Sequence, residues 1–254
     1  MFRNERFSGR KLSCFSIAAV RYWSRGKGGH LMKNSCLAFV IFAALWSGIA
    51  YAGGPAGFAQ TERGANDQVA ICWGKHNEPL QEQVDKCTAT LNQGGWTPQQ
   101  ALQILFHRAD VYRQMGQIDH QMADFDLAVT VAPRIGKSSV AAAYNERCFA
   151  RAESGQELDT ALSDCNAALA LRPEEADFLD SRCFVYFRMG NYAAAITDCD
   201  AAVKEDSEES TSIYVRGLAK LKTGDAAGGN ADIAAAEKID EKVADTYAGY
   251  GVKP

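Results

Sequence analysis

The chain has 254 residues, of which 47% are hydrophobic and 23% charged, a composition typical of a folded protein that excludes a disordered or collagen-like chain. The net charge of −4 is unevenly distributed, because residues 1–52 hold eight Lys and Arg and a single acid, Glu5, which leaves −11 on the rest. An acidic body excludes nucleic acid and anionic membrane surfaces as partners, since phosphate binding needs a basic face.

Residues 32–52, MKNSCLAFVIFAALWSGIAYA, have the three parts of a secretory signal peptide. Lys33 supplies the basic start, an apolar run follows, and small residues stand at Ala50 and Ala52. We expect cleavage after Ala52, which predicts a periplasmic or secreted protein that has no membrane span once the signal is removed. The alternative is an uncleaved anchor, but the apolar run is shorter than the roughly 20 residues that a spanning helix needs.

Residues 1–31 lie upstream of this complete signal and show no helical or strand periodicity. We interpret them as a misassigned extension that is not normally made, because Lys27-Gly28-Gly29 can be encoded by a purine-rich ribosome-binding sequence before the Met32 codon. The alternative is a genuine long basic leader. Residues 53–66, after the signal, are expected to form a flexible N-terminus.

Four segments within residues 102–240 repeat with a period close to 34 residues. They align on a glycine that follows the first helical stretch of each copy: Gly116, Gly155, Gly190 and Gly224. The four copies start at Leu102, Ala141, Ala176 and Ser210. This regularity predicts an array of similar structural units.

The pattern resembles the tetratricopeptide repeat family, whose unit is a helical hairpin with small residues at its eighth, twentieth and twenty-seventh positions. Eleven of these twelve positions are small here, and Gln121 is the departure. Small side chains are needed because the two helices of a hairpin cross closely. The resemblance covers residues 68–251 and implies an all-α solenoid, a right-handed superhelix of helical hairpins. Residues 241–254 would form a capping helix and tail that cover the last hairpin.

An arginine occupies the seventh position of every copy and an aspartate the twenty-third. The arginines are Arg108, Arg147, Arg182 and Arg216, and the aspartates are Asp124, Asp164, Asp198 and Asp232. We expect these residues to form ion pairs between the two helices of each hairpin and so to fix its register. The alternative is a ligand-binding role for the charges.

Six cysteines follow the signal, and the resemblance places four of them at facing positions of two hairpins. It therefore implies the disulfides Cys148–Cys165 and Cys183–Cys199, within the Cα separation that a disulfide requires. The similar spacing of Cys72 and Cys87 identifies residues 67–99 as a divergent hairpin with a third disulfide. This arrangement is similar to exported bacterial tetratricopeptide proteins in which a cysteine-bearing hairpin comes first. Neither zinc binding nor thiol catalysis fits, because the chain has no CxxC, the cysteine spacings are too long for a zinc knuckle, and no histidine is placed to activate a thiolate.

The sequence contains no GxSxG, phosphate-loop or HExxH motif, so we expect a protein without catalytic activity, cofactor or metal. We predict an exported scaffold or adaptor that binds another protein or peptide in the cell envelope. Two alternatives stay open, an accessory subunit of an envelope enzyme complex and a self-associating structural protein.

The resemblance also implies where a partner would bind, since the first helices of such repeats line a groove. The groove residues would be Phe106, Asp110, Arg113, Asn145, Phe149, Asp180, Phe184, Phe187, Tyr214, Leu218 and Leu221. Replacing Phe184 and Tyr214 by Ser should abolish partner capture while the fold survives, and unchanged capture would count against the groove. The alternative is that several of the aromatic residues pack between helices as core.

Overall fold

The computed structural model describes Cys72 and residues 78–254, and this part of the chain is an all-α solenoid without β-strands. The predicted extension (1–31), signal peptide (32–52) and flexible segment (53–66) lie outside the described residues, as does most of the first half of the divergent hairpin. No helix of the described part is long and apolar enough to span a bilayer.

The described residues form ten α-helices in a continuous series. They are α1 (Leu80–Gln93), α2 (Pro98–Gln114), α3 (Ile118–Val131), α4 (Lys137–Ser154), α5 (Leu158–Leu171), α6 (Ala176–Arg188), α7 (Tyr192–Glu205), α8 (Ser210–Lys222), α9 (Ala226–Ile239) and α10 (Val243–Gly249). A short 3-10 helix, Ala132–Arg134, follows α3. The pairs α2–α3, α4–α5, α6–α7 and α8–α9 pack as hairpins, and each first helix also packs against the preceding hairpin.

The turns and the close helix crossings explain why the small residues repeat. The four aligned glycines between the paired helices all have positive φ, between 69° and 93°, which L-residues with a side chain rarely adopt. In the last hairpin the helices touch through their backbones. A Cβ atom on Gly217 would lie 2.9 Å from the carbonyl oxygen of Gly229, so only glycine permits this approach of α8 and α9.

Three disulfides join the six cysteines in the pairs that the repeat register implies. Cys148–Cys165 joins α4 to α5 and Cys183–Cys199 joins α6 to α7, with Cα atoms 5.5 and 5.4 Å apart. Cys72–Cys87 connects α1 to Cys72, with Cα atoms 4.3 Å apart. All six residues are fully buried, so the disulfides are part of the hairpin cores.

The repeated Arg and Asp form ion pairs across each hairpin. In the second repeat, Nε and Nη2 of Arg147 donate to the two carboxylate oxygens of Asp164 at 2.8 and 2.7 Å. The same two-point contact recurs in the other three repeats. The remaining Nη1 of Arg147 reaches Asp126 of the preceding hairpin at 2.9 Å, so the arginine joins neighbouring repeats as well as paired helices.

This link between repeats also recurs along the array. Nη1 of Arg108, Arg182 and Arg216 donates to Thr88, Asn166 and Asp200, each at 2.9 Å and each on the preceding second helix. The arginines thereby fix the stacking of one hairpin on the next, a structural role that extends the predicted one.

Candidate functional site

The first helices of the repeats, α2, α4, α6 and α8, carry the residues that the sequence assigned to the groove, and we call this surface the inner face. Three of its aromatic side chains come from successive first helices: Phe149 from α4, Phe184 from α6 and Tyr214 from α8. The rings of Phe149 and Phe184 lie 6.0 Å apart, so neighbouring repeats form a continuous aromatic surface.

The C-terminal segment, residues 243–252, lies on this aromatic surface. The Tyr247 ring is 5.0 Å from that of Phe184 and 5.3 Å from that of Tyr214, measured between ring centroids. The Tyr250 ring is 6.4 Å from that of Phe149 and 6.1 Å from that of Phe184. The segment therefore spans three repeats rather than covering the last hairpin alone.

One main-chain contact anchors the segment. Nη1 of Arg188, at the end of α6, donates a 2.7 Å hydrogen bond to the carbonyl oxygen of Tyr250. The side chain of Val252, beyond this point, is also buried, so the chain follows the inner face until close to its end.

The predicted groove residues fall into two sets, one that is buried and one of intermediate exposure, which we call half-open. Phe184, Tyr214 and Leu218 are at most 1% exposed, and Phe187, Asp180 and Asn145 are also buried. The residues with intermediate exposure are Phe106, Asp110, Arg113, Phe149 and Leu221. The aromatic centre of the groove is thus core in this conformation, and its accessible part lies mainly on α2 and α4, with Leu221 on α8.

The half-open part combines an aromatic edge with fixed charges. Asp110 accepts from Nη2 of Arg113 at 2.6 Å, and Nη1 of Arg113 lies 3.8 Å from the Glu153 carboxylate of the next repeat. The Phe106 ring packs edge-on against Phe125 at 6.1 Å, which holds it in place beside this ion pair. Such a surface can offer both apolar contact and paired hydrogen bonds to a polypeptide.

From the sequence, Val243, Tyr247 and Tyr250 are expected on one side of a helix that covers the final hairpin, and the contacts of the two tyrosines with the earlier repeats were missed. The available signal was the spacing of the two tyrosines, which places both on one side of a helix. The position of that side relative to the inner face depends on the turn at Asp240–Lys242, which sequence periodicity does not determine.

Two carboxylic acids on first helices, Asp180 of α6 and Glu146 of α4, have raised pKa values. Burial and the nearby Glu209 raise the pKa of Asp180 to about 7, although the hydroxyls of Ser212 and Thr211 donate to its carboxylate at 2.6 and 3.1 Å. Burial and the charge of Asp177 likewise raise the pKa of Glu146 to about 7. These groups bind protons more readily in the folded chain than in the unfolded one.

We expect the stability of the fold to decrease as the pH rises towards 8. A carboxyl with a raised pKa contributes stability that is complete below its ordinary pKa near 4 and is lost as the pH rises through about 7. Asp180→Asn removes the ionisation and should raise the thermal midpoint at pH 8 by about 5 °C, with a smaller rise at pH 5. Thermal melting followed by circular dichroism at both pH values measures this difference.

The variant must be compared with the parent at each pH because the titration of His107 changes the stability of the fold in the opposite direction to that of Asp180. Burial lowers the pKa of His107 from its ordinary 6.5, so this residue destabilises the fold as the pH falls. Asp245→Asn, on an exposed residue of α10, is the matched control and should leave the pH profile of the parent unchanged. An equal effect of Asp180→Asn at pH 5 and pH 8 would contradict the assignment.

Among the described residues, Cys72, Cys87 and His107 have ligand atoms within 4.8 Å of one another, close enough for a metal ion. The two sulfur atoms are joined in a disulfide, however, and zinc or iron binding requires thiolates. The group therefore does not fit a metal in the oxidised chain.

Comparison with known proteins supports the repeat assignment. Residues 102–135 match the tetratricopeptide repeat model. TTC0263, a thermophilic tetratricopeptide repeat protein from Thermus thermophilus, is 16% identical over 74% of this chain and 97% of its own, with a TM-score of 0.54. No curated protein sequence matches the chain.

Two further solved structures share the fold. MamA residues 41 to the end, from Desulfovibrio magneticus RS-1, is 13% identical over 71% of this chain and 95% of its own, with a TM-score of 0.55. A tetratricopeptide repeat protein from Parabacteroides merdae ATCC 43184 is 17% identical over 76% of this chain and 74% of its own, with a TM-score of 0.54. At these identities the likeness establishes the fold alone.

Proposed function

We propose that this chain, which contains a tetratricopeptide repeat and has the fold of tetratricopeptide repeat proteins, is an exported scaffold that binds another protein through its inner face and catalyses no reaction. The observation that carries the proposal is the half-open, aromatic and charged surface at Phe106, Asp110, Arg113 and Phe149 on an otherwise regular array. Repeat solenoids commonly use such extended inner surfaces for binding.

The proposed location outside the cytoplasm rests on the disulfides. All three pairs of described cysteines are joined, and disulfides persist in oxidising compartments such as the periplasm. The signal-like residues 32–52 agree with this location, and N-terminal sequencing of the protein from its native host tests it. A mature chain that begins at Gly53 is expected, and a chain that retains residues 32–52 would contradict cleavage.

Site-specific crosslinking in the native host tests the partner surface. A photo-crosslinking amino acid replaces Phe106 in one variant and Leu127, an exposed residue of the second helix α3, in a matched control. We expect a discrete crosslinked species from position 106 and none from position 127. Equal crosslinking from both positions would show contact without a specific inner-face partner, and mass spectrometry of the species identifies the protein bound.

A further inference from the structure

The C-terminal segment has the features of a bound peptide. It lies in the groove position, and its two tyrosines contact one aromatic side chain from each of three successive repeats. It presents the tyrosines three residues apart, one helical turn, so that both rings point towards the same surface. Because the contacts come from first-helix side chains that the repeat resemblance assigns to the groove, the surface that receives the segment is the surface on which these repeats would hold a partner.

The segment depends on the inner face for its helical shape. Helix α10 has only seven residues, and isolated helices shorter than about 12–15 residues are marginal in water. Its connection to α9 is the short turn Asp240–Lys242, in which the amide of Val243 donates to the Asp240 carbonyl. A helix of this length therefore forms only where tertiary contacts support it.

The surroundings of Tyr250 favour tyrosine more specifically than burial alone would. Its hydroxyl lies beside the Glu153 carboxylate, which together with burial raises the pKa of Tyr250, so the phenol stays protonated and can donate to that carboxylate. Arg188 meanwhile binds the main-chain carbonyl of the same residue. We therefore expect the inner face to favour tyrosine over phenylalanine at this position.

We propose that the inner face recognises a short helical segment with two tyrosines one turn apart, and that residues 243–252 are the resident copy, which a partner segment of this kind displaces. This inference rests on the proposed function and names the chemistry of its partner. We call the part of the inner face that residues 243–252 cover, at Phe149, Phe184 and Tyr214, the seat. A partner can bind only those molecules in which residues 243–252 have left the seat. Its apparent affinity is therefore reduced in proportion to the fraction of such molecules.

A labelled synthetic peptide of residues 241–254, EKVADTYAGYGVKP, tests the proposal on the full oxidised chain. The decisive variant carries Tyr247→Ala and Tyr250→Ala, which disable the resident copy and leave the inner face intact. If the native segment is seated in nine-tenths or more of the molecules, the variant should bind the peptide at least about tenfold more tightly than the parent. Fluorescence anisotropy measures both dissociation constants.

Two controls show where and how the peptide binds. Adding Phe149→Ala to the variant removes a half-buried ring of the seat and should weaken peptide binding several-fold. A peptide with Phe at position 250 should also bind several-fold more weakly, because it lacks the hydroxyl that faces Glu153. An unaltered dissociation constant in both controls would overturn the assignment of the seat.

Other outcomes overturn the proposal as a whole. If the doubly substituted chain loses its cooperative melting, the segment is a structural cap and not a displaceable ligand. If that chain stays folded but binds the peptide no better than the parent does, nothing is displaced. If the parent dimerises by exchanging segments, as sedimentation would show, the occupant is a second copy. Crosslinking from position 106 would survive these failures, so they can be told apart from failure of the proposed function.

Discussion

Removing the Cys183–Cys199 disulfide is expected to lower the thermal midpoint by about 6–12 °C. A crosslink that closes a loop of this length, with a sequence separation of 16, stabilises by about 3 kcal/mol through the entropy of the unfolded chain. For a domain of 150–250 residues, each kcal/mol corresponds to about 2–4 °C. The change is Cys183→Ala with Cys199→Ala, and thermal melting by circular dichroism measures it.

The matched comparison is the parent chain after reduction under denaturing conditions and refolding with reductant. Reduction opens all three disulfides and should lower the thermal midpoint more than the double substitution does. A reduced chain that melts at the same temperature as the oxidised chain would contradict the stabilising role. The disulfides would then be consequences of the fold in an oxidising compartment.

The cysteine pairs and the ion pairs were predictable because they repeat. A residue type that returns at the same position of every copy occupies the same place in each hairpin, so the register that aligns Arg147 with Asp164 also aligns the cysteines of neighbouring positions. One hairpin geometry is enough to predict these contacts. The hydrogen bond from Arg147 to Asp126 depends on how one hairpin stacks on the next, which the period alone does not define.

The covering of the groove was not predictable in the same way. Phe184 and Tyr214 stand at positions that line the groove in the repeat family, and position within a repeat does not reveal what lies on that surface. The covering segment is outside the repeat, and its seven-residue helix is determined by tertiary contacts rather than by local propensity. The spacing of its two tyrosines could be read from the sequence, but the surface that they contact could not.

Replacing Phe184 by Ala should lower the free energy of unfolding by about 3–5 kcal/mol, the usual cost of truncating a fully buried aromatic residue. Phe184 is 0% exposed and packs against Phe149, Tyr247 and Tyr250. The expectation that Phe184→Ser with Tyr214→Ser would abolish partner capture in an intact fold is therefore replaced. Loss of capture in that variant would report damage to the core, and Phe149, which is half-buried, is the better probe of binding.

A double-mutant cycle separates the contribution of the segment from that of the hairpins. If Phe184 is buried chiefly because Tyr247 covers it, the losses caused by Phe184→Ala and Tyr247→Ala should overlap, with a coupling of about 0.5–3 kcal/mol in urea unfolding. Tyr247→Ala with Ile233→Ala, a residue of α9 that lies against Gly217, serves as the control pair and should be closer to additive. Additive losses at Phe184 and Tyr247 would mean that the two side chains contribute independently, and the burial of Phe184 would then not depend on Tyr247.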